Sequence, residues 1–102
     1  MAFAPVSKST TDELVEVLRE TRELLARPDN DFIWSYWDSA TDALREFDAF
    51  ITQIESGDTS RRSDLELLCA PTGSIQEVSI SSGWGQEFLA LSARFDAVIK
   101  RV

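Results

Sequence analysis

Apolar residues return along much of this chain at steps of three and four, the spacing that gathers side chains on one face of an α-helix. The clearest run is Ile33, Trp37, Ala40, Leu44, Phe47, Ile51 and Ile54, with Tyr36, Ala43 and Phe50 widening the stripe on one flank. Asn30 stands before it with a side chain suited to capping. Gly57 follows its last apolar member and accepts the left-handed conformation that ends helices. The spacing therefore predicts a long second helix over residues 31–56, central to the domain.

Shorter stripes flank it. Leu14, Val17, Leu18, Thr21, Leu24 and Leu25 predict a helix opened by Thr10, with Glu13 at the capping-box spacing and Pro28 as its stop. Arg19 with Glu23, and Glu23 with Arg27, are i to i+4 pairs on its wet side. "DTSRRSDLELLCAP" predicts a short helix opened by Thr59 or Ser60 and closed before Pro71, with Leu65, Leu68 and Cys69 inward. In "SIQEVSIS" the "VSIS" alternates as a strand would, but a lone strand would lack a pairing mate. Ser74 and Glu77 have the capping-box spacing, so a helical turn or two ending near Gly83 is expected. Trp84, Phe88, Leu91, Phe95, Val98 and Val102 form the last stripe, with Lys100 and Arg101 where cations suit the helix dipole.

The expected class is all-α. A single-domain bundle of four or five helices over residues 10–102 follows, with antiparallel neighbours and a flexible N-terminal arm at residues 1–9. A chain of 102 residues supplies one hydrophobic core and is too short for two ordinary domains. No stretch approaches the ~20 apolar residues of a membrane span, and the start lacks the charged and apolar regions of a signal peptide. With one cysteine and no possible internal disulfide, these features lead to an expectation of a cytoplasmic monomer or small homo-oligomer.

Charge alters the picture more than composition does. Residues 29–58 hold eight acids against one base, Arg45, and so carry −7 of the chain's net −8. That argues against a nucleic-acid binder, whose phosphate contacts need a basic face. It favours a basic protein as partner.

The chemistry available is narrow. The chain has no histidine, which removes imidazole bases, ligands and triads, and Cys69 sits among leucines as a packing residue would. Three of the four glycines are Gly73, Gly83 and Gly85, without a Gly-x-Gly-x-x-Gly or Walker pattern, so "SGWG" reads as the turn admitting the last helix. Asp38 and Asp42 stand one helical turn apart and form a candidate carboxylate pair for a small ligand or divalent metal; a solvated acidic face is the plainer reading. No catalytic residue and no cofactor are expected.

If residues 31–37 are helical, Trp34 falls roughly 120° from the buried stripe, in line with Asp38 and Arg45 and beside Asp31 and Asp42. An indole there would anchor a partner that the surrounding acids attract. Two structural alternatives compete: Phe3 or Val6 of the arm covers Trp34, or the helix starts only at Asp38 and leaves "FIWSYW" to bury its rings. The leading expectation is a non-enzymatic module that binds a basic protein through Trp34, Asp31, Asp38, Asp42 and Arg45. In size, charge and class the chain resembles the small acidic helical immunity proteins of bacterial toxin systems, a resemblance that implies an inhibitor of a basic toxin such as a nuclease. The alternatives are a small-ligand or metal binder using the helix 2 carboxylates, and a structural homodimer.

Overall fold

The computed structural model describes residues 9–33, 35, 37–70 and 73–102. Five helices follow in order: α1 (Thr10–Leu25), α2 (Ala40–Glu55), α3 (Arg62–Leu68), α4 (Ser74–Ser82) and α5 (Gly85–Ile99). No strand occurs among the described residues, so the fold is a small all-α bundle. The expected arm, including Phe3 and Val6, lies outside the described residues except for Ser9, and Trp34 and Tyr36 lie outside them as well.

The N-terminal caps correct the sequence reading in four helices, first in α1 and α2. Ser9, not Thr10, opens α1: it is extended, and its hydroxyl accepts a hydrogen bond from the Asp12 N–H at 3.0 Å. Thr10 is already helical. The second helix begins at Ala40, not near residue 31, and its cap is Ser39, whose hydroxyl accepts from the Asp42 N–H at 3.4 Å. Asn30 is occupied elsewhere. Ile33, expected inside the stripe, is 78% exposed.

Tertiary bonds override the periodicity here. Trp37 is buried, and its indole N–H donates to Glu46 Oε2 at 2.9 Å. In a continuous helix, residues nine apart would lie ~180° around the axis and ~13.5 Å along it, too far for that bond. The start of α2 at Ala40 lets the chain fold back so that indole and carboxylate meet.

The later caps differ too: Arg61, with no side-chain cap bond, opens α3 in place of Thr59 or Ser60, and Gly73 precedes α4, so Ser74 is already helical and forms no capping box with Glu77. The glycine stops act as expected. Gly57 takes φ +87°, its N–H donates to Ile54 O, and the Asp58 N–H reaches back to Gln53 O at 2.9 Å, which closes the end of α2. Around these helices the core is continuous: Leu14, Leu18 and Leu25 of α1, Phe47 of α2, Leu65 of α3, Ile75 and Val78 of α4, and Trp84 before α5 are all fully buried. Helix α1 packs against both α2 and α5, and α4 packs on α5. Arg61 stacks over the Phe50 ring at 4.4 Å, roofing the core beside α3. Cys69 is buried, and loss of hydration pushes its thiol up to about 12, so it is a neutral packing group at physiological pH. No helix among the described residues is long and apolar enough to cross a membrane.

Candidate interaction site

The connection from α1 to α2 is built by side chains that hold its backbone in place. Its anchor is Asn30. The Asn30 Nδ2 donates to Leu24 O at 2.8 Å, a carbonyl in the last turn of α1 that also accepts from the Arg27 N–H at 3.3 Å, while Oδ1 accepts from the Trp84 indole N–H at 2.8 Å. One residue on, the Asp31 N–H donates to Ser82 Oγ at 2.9 Å. The connection is thereby fastened to the corner between α4 and α5. Further along, the Ile33 N–H donates to Asp31 Oδ1 at 2.9 Å and the Ser35 hydroxyl donates to Phe32 O at 2.9 Å. Phe32 meets Trp37 edge to face, with ring centroids 6.5 Å apart.

A shallow groove of about 450 Å³ runs along this connection. Phe32, Ile33 and Trp37 supply its apolar part, and Asp31 and Asp38 its carboxylates. Of the five residues expected to bind a partner, the structure thus brings Asp31 and Asp38 to one groove. Asp42 and Arg45 do not line it; they sit on the first turns of α2, 3.9 Å apart. Trp34 lies outside the described residues. Asp38 precedes the cap of α2, so it and Asp42 are not the one-turn helical pair that the spacing predicts. No cluster of three or more metal-ligating side chains is present among the described residues.

The ion pairs redraw the acidic face. Each of the eight arginines has a carboxylate of the chain at 3.9 Å or closer. Two of them reach from α1 to α2, Arg19 to Glu55 at 2.9 Å and Arg22 to Asp48 at 2.6 Å. The expected pairs of Arg19 and Arg27 with Glu23 do not form: Arg19 goes to α2, and Arg27 goes to Glu87 of α5. Geometry explains the difference, because packing α1 between α2 and α5 brings their carboxylates to its flanks. The acids of residues 29–58 therefore divide. Asp48 and Glu55 belong to the α1–α2 seam and Asp42 to Arg45, while Asp29, Asp31 and Asp38 have no cationic partner among the described residues.

The Arg22 grip is bidentate, and it holds the Asp48 carboxyl below the usual aspartate range while raising the guanidinium. A carboxyl depressed in the folded state contributes stability above its unfolded pKa and loses it as pH falls through the folded value. Arg22→Gln is expected to lower stability at pH 7 by under about 1 kcal/mol, since the pair is largely solvent-exposed. The gap between parent and variant should close as pH falls below about 4. Thermal melts from pH 7 to 2 check this; a gap that persists to the acid end would show that Arg22 acts through packing instead.

Comparison of the chain with protein-family models, curated proteins and solved structures finds no match. The site is therefore read from its own chemistry.

Proposed function

We propose that this chain is a non-enzymatic interaction module that holds a basic protein against the acidic connection between α1 and α2. One observation carries the reading: the arginines are all engaged by carboxylates of the chain, and the acids left over include three, Asp29, Asp31 and Asp38, within ten residues of a single connection. Carboxylates without a cation of their own draw an external one, which raises the rate of encounter and orients the partner. The apolar surface of Ile33 and Phe32 adds area that a docked side chain would bury. The fastening of the connection to Leu24, Ser82 and Trp84 holds it in place before binding, which lowers the ordering cost. An inhibitor or immunity-type protein that covers the basic surface of a toxin is a concrete case of such a module.

The test starts with co-purification from the native cell at low salt, followed by elution at high salt and measurement of the recovered partner against purified variants. A basic protein released by salt is expected, and Asp31→Asn with Asp38→Asn should weaken its binding about tenfold, ~1.4 kcal/mol, with a flatter salt dependence. Unchanged affinity in that double variant would remove the connection as the site. If no protein is retained while magnesium or calcium raises the melting temperature, the chain is a metal or small-ligand binder instead.

A further inference from the structure

The groove along the α1–α2 connection sets carboxylates beside an aromatic pair. Asp31 and Asp38 line it together with the exposed Ile33 and with Phe32, whose half-buried ring meets Trp37 edge to face. The fold holds the same chemistry at a second place, with its cation seated. Arg61 lies over the Phe50 ring at 4.4 Å while its Nε donates to Asp64 Oδ2 at 3.2 Å. A guanidinium meets both surfaces at once, because its plane lies against the ring while its N–H edge reaches the carboxylate.

Among the described residues, no cation of the chain serves the groove. All eight arginines pair with other carboxylates, and neither Asp31 nor Asp38 has a cationic partner. Lys100 is out of reach. It stands at the far end of α5, ~24 Å along that helix from Trp84, the residue bonded to Asn30 at the head of the groove. The side chain that answers Asp31 and Asp38 therefore comes from the partner. Lysine would answer the carboxylates alone, since its ammonium is compact, strongly hydrated and without a plane to lay on Phe32. Carboxylates and ring together favour arginine.

We propose that the groove receives an arginine side chain of the basic partner, its guanidinium laid on the Phe32 ring and hydrogen-bonded to Asp31 and Asp38. This rests on the reading of the connection as the docking site and adds the residue that the partner must present there.

The experiment titrates the 15N-labelled full chain with two glycine-serine peptides of equal length and charge, one carrying arginines and the other lysines. Amide shifts centred on residues 30–38 are expected with both, and the arginine peptide should bind about threefold to fivefold more tightly. Phe32→Leu, which keeps an apolar side chain and removes the ring, should bring that ratio close to one while leaving lysine binding unchanged. Asp31→Asn with Asp38→Asn should weaken both peptides. If Phe32→Leu does not fold, nuclear Overhauser contacts from the arginine δ protons to the Phe32 ring of the parent chain supply the readout, and their absence from the saturated complex would overturn the proposal.

Equal binding of the two peptides at residues 30–38, or an undiminished preference in folded Phe32→Leu, overturns the arginine assignment and leaves the docking reading standing. Shifts centred elsewhere remove the groove and the docking reading together. Failure of the arginine peptide to bind at millimolar concentration overturns the assignment as well, while the response of the captured partner to the double asparagine variant still tests the docking reading by itself. Contacts of Lys8 with Phe32 in the free chain would also overturn it, since a side chain of the same molecule would then fill the groove.

Discussion

Trp84→Ala is expected to destabilise the fold by roughly 3–5 kcal/mol, the range for deleting a large buried aromatic. Two losses combine. Trp84 is fully buried beside the α4–α5 turn, so its removal leaves a cavity in the hydrophobic core. It also deprives Asn30 Oδ1 of the N–H that satisfies it. Against a total stability of ~5–15 kcal/mol for a domain, the variant should melt far earlier and populate unfolded chain near physiological temperature. Trp84→Phe separates the two losses, since it keeps much of the apolar volume and removes only the donor. A urea-denaturation cycle of Trp84→Phe, Asn30→Ala and the double variant should give a coupling of about 1 kcal/mol between them. Independent, additive effects would mean that the connection is held by Leu24 and Ser82 alone.

Gly73→Ala is expected to cost about 1–3 kcal/mol, the range for overpacking, although only one methyl group is added. At this glycine the reason is close approach. Its backbone is ordinary, φ −84° and ψ 177°, but a Cβ would stand 2.5 Å from Leu68 O and 2.6 Å from Leu67 O. Both obstacles are main-chain carbonyls at the end of α3, which cannot move aside without shifting that helix and the buried Leu65 and Leu68 with it. Gly57→Ala is the control. It has open space around its Cβ and carries only the strain of φ +87°, about 1–2 kcal/mol. Urea titration of the two variants ranks them; a Gly73→Ala protein as stable as its parent would show that the α3–α4 turn relaxes freely.

The sequence foretold most of the architecture because its signals were local. Pro28 past α1, Gly57 past α2 and Gly83 past α4 sit where the helices end, and the apolar stripes of α1, α3 and α5 are the ones buried. The start of α2 was legible only as an alternative, a helix beginning at Asp38, because Asn30 and Ser39 are both good caps. What decides between them are bonds from Asn30 to Trp84 and from Trp37 to Glu46, and the first spans 54 residues of chain. The one available hint was Asp42 standing three residues after Ser39, a spacing akin to the capping box. The concentration of acids was legible too. Its division was not, because Arg19 and Arg22 find Glu55 and Asp48 only once α1 and α2 pack.

The hydrogen bonds from Asn30 to Trp84 and from Asp31 to Ser82 close loops of 54 and 51 residues. Loops of that size close late relative to helix formation, since distant ends must first be brought together. During synthesis on the ribosome, the surface that displays Asp31 and Asp38 therefore takes shape only after the α4–α5 corner has emerged. Nascent chains arrested before that point would carry the carboxylates without their geometry, and a partner would meet the finished surface only on chains translated past Trp84.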